Sequence, residues 1–154
     1  MRIFQANSPE DIEQARTLFK EYQAGLGISL CFQNFDDELK NLPGDYAPPD
    51  GRLLIATDEG ALAGCLALRK VDEGVCEMKR LFVRDEFRGK QIGIRLIERL
   101  ITDAREIGYK KMLLDTYPPK MGKAVKLYES HGFREIPPYY DNPYDGVLYL
   151  ELEL

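Results

Sequence analysis

Apolar and polar positions along this chain repeat with two different periods, and each change of period marks a new element. Arg2–Ala6 reads as a short first strand. Ser8-Pro9-Glu10-Asp11 is a helix start: a serine N-cap, proline at the first helical position and acids in the first turn. Ile12, Ala15, Leu18, Phe19 and Tyr22 follow at helical spacing and give that helix one apolar face, with Gly25 and Gly27 expected to end it. Phe35–Leu42 reads as a second, short helix, followed by loops at Pro43-Gly44 and Pro48-Pro49-Asp50-Gly51. Arg52–Thr57, Ala61–Val71 and Val75–Val83 read as three strands. The turn sequences between them, Asp58-Glu59-Gly60 and Asp72-Glu73-Gly74, predict antiparallel hairpin neighbours.

The period then returns to 3.6. A long helix is expected from about Gln91 to Ile107, lined on one face by Leu96, Ile97, Leu100, Ile101, Ala104 and Ile107 and stopped by Gly108. Lys110–Thr116 reads as a strand, Lys120–His131 as a second amphipathic helix closed by Gly132, and Phe133–Ile136 and Val147–Leu154 as the last strands. The order β-α-α-β-β-β-α-β-α-β-β implies an α+β or layered α/β structure. At 154 residues this is one domain, spanning 1–154, with enough chain to bury a core without disulfides or metals.

Composition narrows the function. No apolar run approaches the ~18 residues of a membrane span. The N-terminus leads straight into acidic sequence and does not read as a signal peptide, so the expected compartment is the cytoplasm, with no membrane partner. Cys31, Cys65 and Cys76 fit no zinc spacing, and a single histidine, His131, argues against a histidine metal site. Cys65 reads as a small buried hydrophobe. His131 reads as a helix-end residue at the negative pole of the dipole. The net charge of −5 argues against nucleic acid. The charge is uneven, however: residues 1–78 carry 7 basic and 14 acidic side chains, residues 79–111 carry 10 and 5, and residues 112–154 carry 4 and 7. A basic middle suits an anionic ligand there and a cationic partner elsewhere, although chance patterning of a solvated surface gives the same picture.

The basic middle contains a specific pattern. In Leu81-Phe82-Val83-Arg84-Asp85-Glu86-Phe87-Arg88-Gly89-Lys90-Gln91-Ile92-Gly93-Ile94 a strand ends, a glycine-containing basic loop follows, and a helix begins. The unpaired N–H groups of a first helical turn and the helix dipole make an anion site, and a pyrophosphate fits it. No Gly-Lys-Ser/Thr follows, so this is not a P-loop.

This segment resembles the acetyl-CoA pyrophosphate loop of the GNAT superfamily of N-acetyltransferases, Q/R-x-x-G-x-G/A, with Arg88 first, Gly93 last and Gln91 where glycine is usual. Ala124-Val125-Lys126-Leu127-Tyr128-Glu129-Ser130-His131-Gly132-Phe133 is similar to the family's later helix, which ends in Leu-Tyr-Glu-x-x-Gly-Phe. Met121 stands where an asparagine is common. The resemblance implies a mixed, mostly antiparallel central sheet of about seven strands flanked by about four helices, with a splayed parallel pair of strands holding acetyl-CoA as co-substrate and no metal. It implies that Leu81, Phe82 and Val83 offer backbone groups to the pantetheine arm. It also implies that Arg88, Gly89, Lys90, Gln91, Ile92, Gly93 and Ile94 hold the pyrophosphate. Glu77 matches the position of the glutamate base in some members, where burial is expected to raise its pKa. Its bland alternative is pairing with Lys79 or Arg80. Tyr128 matches the tyrosine that faces the CoA sulfur and would protonate the leaving thiolate; as a plain core aromatic it would pack beside Leu127 and Phe133.

The acceptor implied is a small-molecule or protein amine. The stretch Pro137–Gly146 is rigid, aromatic and acidic, and serves equally as a wall for a cationic amine or as a loop covering the core. Asp36, Asp37, Glu38, Asp45 and Asp50 also suit a positive substrate. Two other readings stand beside the enzyme: a non-catalytic acyl-CoA-binding sensor, and a module for another phosphorylated ligand. The apolar run Val147-Leu148-Tyr149-Leu150, if it formed an edge strand, would offer a surface for a homodimer.

Overall fold

The computed structural model describes residues 1–26 and 34–154, with residues 118–122 described in their backbone only. Its strands are Arg2–Gln5 (β1), Arg52–Asp58 (β2), Ala61–Asp72 (β3), Val75–Val83 (β4), Lys111–Thr116 (β5), Arg134–Ile136 (β6) and Leu148–Glu153 (β7). Its helices are Pro9–Leu26 (α1), Phe35–Lys40 (α2), Ile92–Ile107 (α3) and Pro118–Ser130 (α4). The strands form one open sheet in the order β1-β2-β3-β4-β5-β7-β6, antiparallel throughout except where β4 meets β5. Element order and sheet size agree with the sequence reading. Among the described residues no helix is long and apolar enough to cross a membrane.

Each face of the sheet is covered because alternate residues of the central strands are apolar in both directions. Leu54, Ala56, Leu66, Leu68 and Met78 pack beneath Leu96, Ile97, Leu100 and Ala104 of α3. Leu53, Ile55, Cys65 and Ala67 point the other way, against Ala15, Leu18 and Phe19 of α1 and Phe35 of α2. The expected caps are present. Ser8 Oγ accepts the Asp11 N–H at 3.0 Å while Asp11 Oδ2 accepts the N–H groups of Asn7 and Ser8, a reciprocal arrangement that satisfies the free donors of the first turn. Gly108 takes φ 109° and closes α3 on the carbonyls of Ala104 and Arg105.

Two irregularities of β4 shape the site. The parallel pairing of β4 and β5 runs only from Val75–Lys111 to Glu77–Leu113, so beyond Leu113 the strands diverge into a fork. On its other side β4 skips register: Phe82 pairs with Cys65 and Lys79 with Ala67, leaving Arg80 and Leu81 opposite Leu66 alone. This is a bulge, with Arg80 at φ 65°. It breaks the alternation, so Lys79 (opposite Ala67) and Arg80 (against the rings of Phe35 and Tyr22) both lie on the α1/α2 face.

One expectation is overturned. β7 lies between β5 and β6, so Val147–Leu150 is no edge, and the homodimer surface it would have offered is absent. A strand that follows a long loop can return to the interior of a sheet, and an apolar run alone does not distinguish the two positions. Gly27 and Cys31 fall outside the described residues.

Candidate active site

A cleft of about 960 Å³ opens where the end of β4 meets the start of α3, with α4 and the last turn of α1 as its other walls. Nine of the ten residues expected to hold a cofactor line it: Leu81, Phe82, Val83, Arg88, Gly89, Gln91, Ile92, Gly93 and Ile94. The tenth, Lys90, does not. Its ammonium turns to Asp58 on β2, 2.9 Å away, and this pair ties the loop to the sheet. Lys123 and Lys126 of α4 line the cleft in its place. A loop lysine adjacent to two lining residues is not distinguishable from them by sequence, because the side chain's direction depends on a partner 32 positions away.

The backbone explains the loop's composition. Gly89 sits at φ 84° and Gln91, the N-cap of α3, at φ 63°. The position where the resembled family has glycine is therefore left-handed here too, and the glutamine side chain carries a strain of about 1 kcal/mol. The first bond of the α3 ladder is from Arg95 N–H to Gln91 O, which leaves the N–H groups of Ile92, Gly93 and Ile94 directed out of the helix end beside the loop. A Cβ on Gly93 would lie 3.8 Å from Val83 Cγ2 and 4.0 Å from Leu127 Cδ2, so the missing side chain widens the cleft between β4 and α4. A helix end, a wide cleft and cationic side chains at its walls fit a long ligand with a phosphate-bearing portion. Arg84 stiffens this wall: its guanidinium bonds both oxygens of Glu21 on α1 and the Leu62 carbonyl.

A second, much smaller cavity of about 20 Å³ lies at the fork, lined by Tyr22, Met78, Lys79, Arg80, Leu81, Leu114, Asp115 and Tyr128. Tyr22 and Leu81 line both spaces. Tyr128 is buried and packs edge-on to Phe133, ring centres 5.8 Å apart. Burial pushes its hydroxyl pKa far above the usual value, so the phenol is protonated at neutral pH and able to donate.

Glu77 lines neither space. It is 1% exposed. Oε1 accepts a bond from Arg69 Nε at 2.8 Å and Oε2 one from the Tyr139 hydroxyl at 2.6 Å, while Lys79 Nζ lies 3.9 Å away. Burial does press its pKa upward, as the sequence suggested. The Lys79 charge, the Tyr139 hydroxyl and Arg69 together outweigh burial, and the net direction is downward. The expectation of a raised pKa is therefore corrected: two donors, Arg69 of β3 and Tyr139 of the loop before β7, and the Lys79 charge of β4 converge on the carboxylate.

That loop packs on β7. Tyr139 and Tyr140 pack edge-on to each other and to Tyr149 of β7, with ring centres 5.4 to 5.5 Å apart. Their hydroxyls point inward, Tyr139 to Glu77 and Tyr140 to Asp115. Burial drives both phenol pKa values up, and the neighbouring carboxylates add to it. Of the acids expected to greet a cation, Glu38 is committed internally, its two oxygens accepting bonds from Arg80 Nε and Nη2 at 2.9 and 3.0 Å. Of the two partners expected for Glu77, Lys79 is beside it and Arg80 pairs with Glu38 instead, while Arg69 and Asp115 are the residues missed from sequence. The only visible signal of this cluster was the pair of charges Lys79-Arg80 inside an otherwise apolar strand.

The bland readings of Cys65 and His131 stand. Cys65 is fully buried with its thiol pKa raised by burial, and burial likewise pushes Cys76 to about 12. His131 caps α4, its Nδ1 2.9 Å from the Leu127 carbonyl. Among the described residues no cluster of histidine, cysteine and carboxylate side chains has the makings of a metal site. The side chain of Met121 lies outside the described residues.

Comparison with known proteins agrees with this geometry. The family model of the acetyltransferase (GNAT) family matches residues 13–133. An uncharacterised N-acetyltransferase of Schizosaccharomyces pombe is 43% identical over 148 residues, covering 95% of this chain and 90% of that protein. The crystal structure of an acetyltransferase from Streptococcus agalactiae superposes with a TM-score of 0.80 at 25% identity, over 99% of this chain and 98% of that one. A GNAT family acetyltransferase from Elizabethkingia anophelis, solved with acetyl-CoA bound, matches 68% of this chain and 77% of its own with a TM-score of 0.58 and 26% identity. A family model spanning most of the chain, a relative alike over nearly its whole length and a shared fold give one conclusion: the chain belongs to the acetyltransferase (GNAT) family, as an acetyl-CoA-dependent acyltransferase.

Proposed function

We propose that this protein moves an acetyl group from acetyl-CoA to a primary amine by direct attack within a ternary complex. The observation that carries the reading is the junction at the fork: a wide cleft with a helix end at one wall meets a small polar cavity containing a protonated phenol, and Leu81 and Tyr22 border both. On this reading the N–H groups of Ile92, Gly93 and Ile94 hold the pyrophosphate, with Arg88 and the α4 lysines adding charge. The backbone of Leu81, Phe82 and Val83, past the last parallel rung, takes the pantetheine amides. Acetyl-CoA supplies the activated acyl group as a thioester. Tyr128 gives its proton to the departing thiolate, which makes the leaving group neutral.

Glu77 was the expected base. Its lowered pKa and its two committed oxygens favour another role, holding Arg69, Lys79 and Tyr139 in place as an ionised anchor. The test is release of free thiol from acetyl-CoA across a set of primary amines, amino acids and peptide N-termini. Thiol release that depends on the amine supports the enzyme. Tight acetyl-CoA binding with no release across the set would replace it with the sensor reading.

A further inference from the structure

The cavity at the fork has a use that the cofactor cleft does not absorb. The last parallel rung joins Glu77 to Leu113. Two residues further along each strand stand Lys79 and Asp115, both on the α1/α2 face, on either side of the opening. We propose that this cavity receives the acceptor's nitrogen, that its size admits an unsubstituted amine and no N-alkyl group, and that Asp115 is the carboxylate that takes the nitrogen's proton. The proposal rests on the reading above.

Three features support it. The first is size. A volume of about 20 Å³ holds about one water-sized group, enough for an –NH2 but not for a methyl beside it. The second is orientation. The Tyr140 hydroxyl donates to Asp115 Oδ2 and is itself held by Asn142 Nδ2 at 3.0 Å and by the rings of Tyr139 and Tyr149. A carboxylate has about four acceptor positions, so one bond from Tyr140 fixes the group and leaves capacity for an amine N–H. Glu77, by contrast, spends both oxygens on its own neighbours. The third is charge. Lys79 and Arg80 share the cavity wall with Asp115 and offset its attraction for an ammonium, which favours the neutral amine that reacts.

The proton inventory closes within the cavity. The amine nitrogen forms a bond to the thioester carbon and becomes a strong acid as it turns cationic. A carboxylate within reach can then take that proton, and Asp115 does so. The C–S bond breaks, Tyr128 protonates the sulfur, and the proton on Asp115 restores the phenol, since both groups line the same space. Amine and acetyl-CoA become amide and free thiol with no proton gained or lost.

The experiment uses the whole chain, with Asp115→Asn as the principal variant and a panel of alkyl primary amines and amino acids, each beside its N-methyl analogue. Acetyl-CoA binding is titrated first in both proteins. The expected result is unchanged acetyl-CoA affinity, a fall in kcat/KM for the best amine of about 100-fold in Asp115→Asn, and a wild-type preference for every primary amine over its N-methyl form. Tyr140→Phe is expected to lower kcat several-fold while leaving KM and acetyl-CoA affinity in place, which a merely structural role would not do. A variant that keeps kcat/KM within three-fold overturns the role of Asp115, and equal turnover of N-methyl amines overturns the cavity as port. If Asp115→Asn fails to fold, unchanged kcat in Tyr140→Phe overturns the role of Asp115, and the wild-type comparison of each pair of amines tests the port. Wild-type protein that binds acetyl-CoA but turns over no amine also overturns the proposal. Failure of the wild type to bind acetyl-CoA would instead overturn the underlying reading.

Discussion

The cofactor cleft and the fork cavity adjoin each other but are built on opposite principles. The cleft is wide, and its ligand groups come from backbone: a helix end, a strand edge past its last rung, and glycines that make room. Most of it comes from one continuous stretch, Leu81–Ile94, with α4 and the last turn of α1 as the other walls. The fork cavity is small, walled by charged and hydroxyl side chains, and assembled from α1, β4, β5 and α4, with support from α2, β3 and the loop before β7. The lesson is that a site for a shared cofactor is held by main chain, which tolerates side-chain change. The cavity we propose for the acceptor is held instead by paired side chains, each of which depends on a distant partner.

This contrast predicts where substitutions hurt. The largest loss is expected at Glu38→Gln, which removes the negative charge bonded twice by the buried Arg80 guanidinium: about 3 kcal/mol of stability, read by chemical denaturation. A loss below 1 kcal/mol would mean that the acceptor side does not depend on its pairs.

Next is Tyr128→Phe. It is expected to lower kcat about 100-fold while acetyl-CoA affinity holds, because Tyr128 lines the fork cavity and its ring packs against Phe133. Equal turnover by both proteins would remove Tyr128 from the chemistry.

Tyr139→Phe removes one of the groups that hold Glu77 ionised, at a cost of about 1.5 kcal/mol for a bond to a charged group. The sign with pH follows from the lowered pKa of Glu77. Its contribution to stability is full above the unfolded value near 4.5 and is lost as pH falls through the lower folded pKa. Without Tyr139 the folded pKa moves up, so the variant's acid unfolding should begin at higher pH. Coincident acid limbs would show that the hydroxyl does not bear on Glu77.

The smallest effect is expected in the cleft. Gln91→Gly relieves a left-handed backbone at some cost in chain entropy, a net gain of about 0.5 kcal/mol, with acetyl-CoA binding retained. A destabilised Gln91→Gly would show that the glutamine side chain contributes more than its backbone costs.

The two regions also differ in how far the sequence revealed them. Turn dipeptides and the two periods of hydrophobicity placed all seven strands and four helices, with boundaries a few residues off: Gln91 is a cap rather than the first helical residue, and α4 begins at Pro118. The cleft was legible because its chemistry lies in local order, strand then basic loop then helix. Lys90 was misplaced because its direction is set by Asp58, far away in the chain. The fork was legible only in part: the resemblance implied the splayed strands and Tyr128, but not the charged side chains between them. Asp115 closes the apolar run Met112–Leu114 and looks like a strand end. The inward turn of Tyr139 and Tyr140 requires carboxylates 62 and 25 positions earlier. Glu77 was visible as a candidate, but the direction of its pKa was not, since burial alone predicts the wrong sign until its two donors and the Lys79 charge are placed. β7 was mistaken for an edge for the same reason: its neighbours are set by topology, not by its own pattern.

The measurement that tests the central claim most directly is a calorimetric titration of the wild-type chain with acetyl-CoA, desulfo-CoA and ATP side by side. The account predicts micromolar binding of both CoA species and much weaker binding of ATP, because the cleft joins a helix-end anion site to a strand edge that only a pantetheine arm occupies. Binding of ATP as tight as that of acetyl-CoA, or no binding of either CoA species, would contradict it.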